Sequence, residues 1–385
     1  MKSDRRSIRL LFTVYFLQGM VFYSPVATLY RQAAGLDLFQ IGLIESLSMV
    51  LMLALELPWG VLADRLGHRR TLVICAFVLA VSKVVFWRAD CFEDFLAERV
   101  LLAVAGSGLS GCDSAYLYAC CGEGDHRRAF SHWQAVETAG LLLAALAWPL
   151  MGGRYRLAAL LTVGTYAAAA LLTLGLREPE RRHEAEARQR LSLKEALRGT
   201  WSVAPLLLAF CLVQETAQMI TVFLGQEQFL RAGIPQGWFG LLQAAVTLAG
   251  LTAGLSHRFT KRLGTRRGGM TLMAAGSGAC LLLAAVPSPL PAAAGVVLLR
   301  GIQSLLLPLS QSIQNERAAP MGRAAQLSCN AMLLDLGGLC LYPAFGALAD
   351  QGVAHAMLLG TLCCGIGAVL FGWGMNRPGR PPVSR

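Results

Sequence analysis

The sequence predicts an all-α integral membrane protein with twelve transmembrane helices. Of its 385 residues, 55% are hydrophobic and only 15% are charged, and the mean hydropathy is +0.52. Such a composition is too apolar for a soluble globular chain of this length. Because a spanning helix needs about 20 apolar residues, twelve spans with short connections use almost the whole chain. These observations exclude a separate soluble domain and the secreted, collagen-like and disordered classes of protein.

Twelve apolar segments, each long enough to cross a bilayer as a helix, follow one another along the chain. We number them spans 1 to 12, and they cover residues 8–30, 39–63, 71–89, 92–121, 128–153, 157–176, 200–224, 236–259, 269–287, 291–315, 325–349 and 353–375. A long polar connection after span 6 separates them into two groups of six. The sequence therefore predicts a bundle at residues 1–176, a cytoplasmic linker at 177–199, a second bundle at 200–376 and a disordered tail at 377–385. In the linker, Ser192 and Glu195 have capping-box spacing, which predicts a short amphipathic helix before span 7.

The distribution of basic residues predicts the orientation. With both termini in the cytoplasm, most of the 34 Lys and Arg lie on the cytoplasmic side, as the positive-inside rule requires. Five then lie outside, namely Arg31, Arg88, Arg154, Arg156 and Arg231, and three lie within spans, namely Lys83, Arg99 and Arg300. We expect Lys83 to extend its amine to the membrane surface. This topology accounts for the net charge of +11, so no nucleic-acid partner is predicted.

The cysteines and histidines indicate no special chemistry. The 11 Cys contain no Cys-x-x-Cys pair and lie mostly in apolar runs, and the six His show no i, i+4 pairing. These patterns predict neither a disulfide framework nor a metal site. A nucleophile elbow and a phosphate-binding loop are also missing from the sequence. We therefore expect a protein that is not an enzyme and that carries no cofactor.

The two groups of six spans repeat each other. Residues 65–70 (RLGHRR) recur as residues 262–267 (RLGTRR), in each case between the second and third span of the group. Arg99 and Arg300 occupy the two fourth spans, and Glu137 and Asp335 the two fifth spans. Parallel six-helix repeats are an architecture of secondary transporters, which bind substrate near mid-bilayer. The sequence thus predicts two pseudo-symmetric six-helix bundles that lie in the lipid bilayer and bind a small-molecule substrate.

One loop carries a family resemblance. Residues 60–70 (GVLADRLGHRR) resemble the loop 2–3 signature of the major facilitator superfamily at every position but His68. The preceding residues 56–59 (ELPW) resemble the entry to this loop in a bacterial 12-helix drug:proton antiporter branch, and residues 149–153 (PLMGG) resemble part of an antiporter signature. The resemblance implies the superfamily fold, alternating access, a place in the inner (plasma) membrane and function as a monomer.

The resemblance also implies roles for residues of this loop. A cytoplasmic latch would consist of Gly60, Asp64, Arg65, Gly67, Arg69 and Arg70. Asp64 is the candidate latch acid and would face the start of span 11, while Glu56 is the candidate gate partner. Glycine permits the tight turns that such a loop needs, and an acid is stabilised near a helix N-terminus or an Arg.

Polar residues recur at helical spacing in the fourth span of each group. The stripe in span 4 runs from Arg99 to Asp113 and requires one continuous helix, and span 10 repeats it from Arg300 onward. An ionised side chain in the membrane is costly unless it is paired or hydrated, so these faces predict an aqueous central cavity. Span 1 contributes the face before an expected kink at Pro25. The predicted cavity residues are Gln18, Phe22, Arg99, Gly106, Asp113, Arg300 and Gln303; polar contacts between helices are the alternative interpretation.

Four acidic residues within the spans are candidates for proton coupling: Glu137, Asp335, Glu215 and Glu45. Burial favours the protonated carboxyl, so such a group can exchange its proton against substrate as the cavity alternates. Pairing with Arg99 or Arg300 is the alternative role. We therefore expect proton-coupled efflux of amphipathic small molecules or drugs. The alternatives are proton-coupled import of a small nutrient or an organic anion, and a non-transporting receptor or scaffold of the same fold.

Overall fold

The computed structural model describes residues 5–121, 126–178, 193–318 and 323–376, and this part of the chain is helical without any strand. Eleven helical segments in it are long and apolar enough to cross a membrane. Helices satisfy their backbone hydrogen bonds internally, which is what a segment in hydrocarbon requires. The predicted all-α membrane fold is confirmed. The predicted cap at Ser192 and the predicted tail at 377–385 lie outside the described residues.

Spans 1 to 6 are formed by eight α-helices and two short 3-10 turns. The helices are α1 Arg5–Gly19, α2 Ala27–Ala33, α3 Leu38–Leu66, α4 His68–Arg88, α5 Phe92–Leu109, α6 Cys112–Cys120, α7 His126–Leu146 and α8 Tyr155–Thr173. The 3-10 turns are Ser24–Val26 and Trp148–Met151. Helix α3 begins with a capping box, in which Asp37 and Gln40 each bind the backbone N–H of the other.

Spans 7 to 12 are formed by a second set of eight helices. These are α9 Leu193–Gln218, α10 Gly225–Arg231, α11 Phe239–Ala249, α12 Ser256–Leu263, α13 Thr265–Ala285, α14 Pro289–Arg317, α15 Arg323–Gln351 and α16 Val353–Asn376. A π-helical turn, Met219–Leu224, joins α9 to α10. The short helix expected at the end of the linker is therefore the beginning of α9, which continues without a break into span 7.

The chain divides into two compact units. Unit 1 consists of Met1–Ala185 with Pro235–Ala244, and unit 2 of Glu186–Ile234 with Ala245–Arg385. The sequence places residues 235–244 in the second bundle, whereas in the structure they pack within unit 1. Trp148 Nε1 donates to Gln236 O at 2.8 Å, and the Tyr155 hydroxyl lies 3.1 Å from Gln236 Oε1. Hydropathy identifies a helix but not its neighbours, so this grouping is visible only in three dimensions.

The repeated sequence motif adopts the same backbone turn in both units. Gly67 ends α3 with φ +88° and ψ 153°, and Gly264 ends α12 with φ +77° and ψ 149°. Each glycine is also the cap of the helix that follows, α4 or α13. A positive φ is strained for any residue with a Cβ, which explains why glycine stands at both positions. The internal repeat therefore extends from sequence to local structure.

The breaks in spans 1 and 4 separate residues that the sequence places on one face. In span 1, α1 ends at Gly19, several residues before Pro25, so Gln18 and Phe22 do not share a helical face. In span 4, the helix stops at Leu109 and resumes at Cys112, with Gly111 in the left-handed region at φ +77°. The continuous polar stripe from Arg99 to Asp113 was therefore a wrong prediction.

Helices α1 and α7 cross at very short range in unit 1. A Cβ added to Gly19 would overlap the backbone oxygen of Glu137, and one added to Gly140 would overlap the backbone oxygen of Phe16. Small residues at a crossing allow membrane helices to approach closely and gain dispersion contacts. This crossing fixes the position of Glu137 relative to α1.

Candidate functional site

The latch motif lies at the end of α3 and the start of α4. Asp64, Arg65 and Arg70 are exposed within their unit. Arg69 instead points inward, where Nε donates to Leu176 O at 2.6 Å and Nη2 to Leu174 O at 3.1 Å. These carbonyls follow the end of α8, so Arg69 satisfies acceptors that the helix cannot satisfy itself.

The other motif residues differ in their surroundings. A Cβ at Gly67 would lie 2.8 Å from Glu178 Oε1, while a Cβ at Gly60 would meet nothing within 4 Å. Glu56 is exposed on α3. His68, the one departure from the family signature, lies with Nδ1 3.6 Å from Cys112 Sγ at the start of α6. Among the described residues, no group of three or more His, Cys, Asp or Glu is arranged to hold a metal ion.

A buried cluster of charged side chains lies in unit 1. Arg31 Nη1 is 3.1 Å from Glu45 Oε1, and Arg99 Nη2 pairs with the same oxygen. Lys83 Nζ is 3.2 Å from Glu98 Oε1 and 3.1 Å from the Tyr23 hydroxyl. The two pairs are joined because Arg99 Nε lies 3.5 Å from Glu98 Oε2. We call these five residues, Arg31, Glu45, Lys83, Glu98 and Arg99, the charge cluster.

The charge cluster corrects the interpretation of Lys83 and adds to those of Arg31 and Glu45. Lys83 does not extend to the membrane surface, since only 4% of it is exposed. Arg31, counted among the outside residues, is 2% exposed and lies against the rings of Phe86 and Phe95. The alternative of pairing with Arg99 describes the geometry of Glu45. Sequence reasoning missed Glu98, although a Glu beside Arg99 in an apolar span was a usable signal.

A second polar group in unit 1 brings together parts of α1, α6 and α7. The Tyr15 hydroxyl lies beside the Asp113 carboxylate without a hydrogen bond of good geometry, and Asp113 and Glu137 are close enough to interact electrostatically. The Tyr15 ring packs against Trp133 with centroids 4.7 Å apart and planes tilted by 35°. Because Gly111 redirects the chain, Asp113 joins this group rather than Arg99. We call Tyr15, Asp113 and Glu137 the unit 1 triad.

The remaining predicted cavity residues of unit 1 lie on different elements. Phe22 is buried, and its backbone N–H donates to Thr162 Oγ1 at 3.0 Å. Gln18 is partly buried in the last turn of α1. Gly106 lies on α5, where an added Cβ would be 3.4 Å from Met52 Sδ. The breaks in spans 1 and 4 separate Phe22 from Gln18 and Asp113 from Arg99, whereas Gly106 shares α5 with Arg99; a common cavity stays a prediction.

Unit 2 contains a cavity of about 460 Å³ between α9, α14 and α15. Two acids line it, Glu215 and Asp335, which also interact electrostatically. The other polar lining residues are Gln214, Ser310, Gln311, Gln314 and Asn315. The apolar lining includes Phe210, Leu307, Leu327 and Leu334. Such a concave space, largely apolar with a few convergent polar groups, is typical of a small-molecule site.

Tyr342 extends this polar region and was missed in the sequence. Its hydroxyl donates to Glu215 Oε2 at 2.6 Å, and its ring lies 6.2 Å from that of Phe223. The bond fixes one carboxylate oxygen of Glu215 while Glu215 still lines the cavity. Tyr342 is 127 residues from Glu215, so nothing in the local pattern relates the two.

Arg300 and Gln303 form a chain of hydrogen bonds in unit 2, which reaches the backbone of the cavity-lining Gln214. Arg300 Nη1 donates to Gln303 Oε1 at 2.7 Å, and Gln303 Nε2 donates to Gln218 Oε1 at 3.1 Å. Within the described residues, Arg300 has no carboxylate partner, in contrast to Arg99 at the matching position. The repeat therefore preserves the two arginines but not their partners.

Curated relatives match short stretches of the chain. The nitrate/nitrite transporter NrtP of Picosynechococcus sp. is 30% identical over 96 residues, which is 24% of this chain and 18% of that protein. The efflux pump azaK of Aspergillus niger is 26% identical over 160 residues, 40% of this chain and 33% of that protein. The methyl viologen resistance protein SmvA of Salmonella typhimurium is 30% identical over 131 residues, 34% and 25% of the two chains. The chain thus spans a third or less of the length of these relatives.

Solved structures match along nearly the whole chain. The nucleoside transporter NupG superposes with a TM-score of 0.80 at 16% identity, covering 96% of this chain and 98% of that one. A D-xylose-proton symporter gives 0.75 at 14% identity, with 95% and 97% covered. A bacterial homologue of the human lysosomal transporter Spinster, inward-facing and unoccupied, gives 0.74 at 16% identity, with 96% and 95% covered. The likeness shows a shared fold.

The family model of the Major Facilitator Superfamily matches residues 10–325, well over half of the sequence. The match includes the loop at 60–70 and both copies of its repeat. The chain therefore belongs to the Major Facilitator Superfamily, whose members are multi-pass membrane transporters and not enzymes.

Proposed function

We propose that this transporter exports amphipathic small molecules in exchange for protons. The observation that carries the proposal is the cavity of unit 2, in which two carboxylates and several amides share one partly apolar space. A carboxyl that leaves water favours its protonated form, so a bound molecule and a proton compete for such a group. Relatives named as an efflux pump and as a methyl viologen resistance protein support the direction of export.

In this mechanism each unit contributes acids to proton coupling. Glu137 belongs to the unit 1 triad, and Glu215 and Asp335 line the unit 2 cavity. Glu45 is bound by two arginines, and this pairing suits a structural role within the charge cluster. The two predicted bundles would alternate the access of the site, with Asp64 as latch acid and Glu56 as gate partner.

The setting of the transporter is part of the proposal. We place it in the inner (plasma) membrane with both termini in the cytoplasm, because the basic residues are distributed as the positive-inside rule requires. It would work as a monomer on a small-molecule substrate, with protons as the coupling ion and without a nucleic-acid partner.

Import of an organic anion is the second candidate function. Arg300 favours it, because its guanidinium donates to a neutral amide and has no carboxylate partner among the described side chains. An anionic substrate would supply the missing charge through a bidentate contact.

Proton movement in everted membrane vesicles tests the proposed function. Vesicles are energised to an acid interior, a pH-sensitive dye is followed, and lipophilic cations, antibiotics, sugars and amino acids are added one by one. We expect dye fluorescence to recover with an amphipathic compound, and the recovery to be lost in Glu137→Gln. The control Glu93→Gln removes an exposed acid of α5 and should respond like the wild type. No recovery with any compound, or full recovery in Glu137→Gln, Glu215→Gln and Asp335→Asn alike, would refute proton antiport.

A further inference from the structure

The charge of the unit 2 cavity is one-sided. Among its described lining residues, two are carboxylic acids and none is Lys, Arg or His. A charged molecule that enters such a space loses hydration and must recover the cost through a group of opposite charge. The carboxylates of the lining can offset this loss of hydration only for a cation. An anion would meet two carboxylates among these lining residues.

Described basic residues on the same helix are engaged elsewhere. Arg317, one turn beyond Gln314 on α14, donates to Gly374 O at 3.1 Å and to Met375 Sδ. Arg300 binds Gln303 and lies seven residues before Leu307, the first cavity-lining residue of α14, about 10 Å along the helix axis. Neither guanidinium is among the groups that line the cavity. The negative character of the cavity is therefore not cancelled by these neighbours.

The internal repeat supplies an independent observation. Glu215, Gln314 and Asp335 of the cavity lie 200, 201 and 198 residues after Tyr15, Asp113 and Glu137, the unit 1 triad. Each triad by itself contains two carboxylates and no base. The unit 1 triad adds the rings of Tyr15 and Trp133, which are tilted by 35° and whose faces suit a cation. Glu137 and Asp335 are acids at matching positions, while the second acid of each unit, Asp113 or Glu215, stands at a position where the other unit has an uncharged residue.

We propose that the unit 2 cavity is a recognition site for organic cations. Glu215 and Asp335 supply the opposing charge, the amide side chains supply hydrogen bonds, and Phe210 and Leu307 supply apolar contact. Tyr342 holds Glu215 in place through its hydroxyl. The proposal rests on the proposed function only in treating the ligand as a transported substrate, because cation binding requires neither export nor proton coupling.

A pair of ligands with one shape and opposite charge tests the site. Tetraphenylphosphonium and tetraphenylborate are titrated against the purified full chain in detergent, without a proton gradient. We expect the phosphonium to bind and the borate not to compete. Glu215→Gln and Asp335→Asn should each weaken phosphonium binding roughly tenfold or more. The matched control Glu316→Gln removes an exposed acid one residue beyond the cavity-lining Asn315 and should bind like the wild type.

A charge-reversal variant distinguishes the loss of the binding site from the loss of folding. Asp335 is exposed, so the fold should tolerate Asp335→Lys. This variant should bind tetraphenylborate, and unfolded protein cannot show such a gain of binding. Equal binding of both ligands to the wild type, or wild-type phosphonium binding in both acid variants, would overturn the proposal. Cation binding without proton movement in vesicles would refute the proposed antiport alone, whereas proton movement driven equally by neutral compounds would refute the cation site alone.

Discussion

Two arginines at matching positions have acquired different partners. Arg99 pairs with Glu45 and Glu98, whereas Arg300 binds the amide of Gln303. A guanidinium with two carboxylates is neutralised in place and holds its helices together. One that binds only an amide keeps its charge for another ligand. Internal symmetry therefore does not imply equal roles for equivalent residues.

The Lys83 and Glu98 pair should be important for stability. Removing one partner of a buried ion pair leaves an uncompensated charge, at a cost of about 3–5 kcal/mol. We expect Lys83→Ala to lower the thermal unfolding temperature of the purified protein, and the double variant Lys83→Met with Glu98→Leu to recover much of the loss. Lys261→Ala changes an exposed lysine and serves as the control. A Lys83→Ala protein as stable as this control would show that the pair contributes little.

Asp64 provides a test of the latch. We expect Asp64→Asn to impair turnover while leaving substrate binding largely intact. Asp64 lies exposed at the end of α3 and belongs neither to the unit 2 cavity nor to the unit 1 triad. Uptake by reconstituted vesicles and equilibrium binding in detergent measure the two quantities separately. A loss of binding as large as the loss of turnover would exclude the latch role.

At the scale of helices, glycines determine where the chain bends and how closely helices pack. Gly111, between the end of α5 at Leu109 and the start of α6, redirects the chain and moves Asp113 away from Arg99 and into the unit 1 triad. The π-helical turn at Met219–Leu224 similarly interrupts span 7. Such breaks are frequent at functional sites because they re-aim side chains without unfolding the helix.

The crossing of α1 and α7 can be tested with a matched pair of glycine variants. Gly140→Leu would drive a side chain into the backbone of α1, and overpacking costs about 1–3 kcal/mol or more. Gly164→Leu introduces the same side chain on α8, where an added Cβ meets nothing within 4 Å. We expect a clear fall in unfolding temperature and in proton exchange for Gly140→Leu only. Equal behaviour of the two variants would mean that the crossing tolerates separation.

At the scale of the whole molecule, the predicted orientation can be read from one native thiol. Cys91 is exposed between α4 and α5, in a connection that the positive-inside rule places outside. A membrane-impermeant maleimide should label it in intact cells and should not label Cys91→Ser there. Adding Ser192→Cys to Cys91→Ser provides an inside marker, which should react only after permeabilisation. The reverse pattern would invert the topology.

The sequence by itself determined the fold class, because backbone groups in hydrocarbon must be satisfied within each segment and apolar length alone identifies such segments. It also identified the repeated turn at Gly67 and Gly264, since a positive φ restricts the residue type. Glu215 and Asp335 could be selected from hydropathy as acids within apolar spans. The cavity that these two acids share could not be predicted from the sequence.

Only the tertiary structure decided which charges meet and where helices end. Lys83 pairs with Glu98, and Tyr342 donates a hydrogen bond to Glu215, which is 127 residues away in the sequence. These partners are determined by the packing of helices that are distant in sequence. Glycine permits a turn but does not require one. The break at Gly111 therefore depends on whether a bend there allows the helices to pack. Hydropathy reports how each residue is solvated, whereas pairing is a property of two residues and of the fold that brings them together.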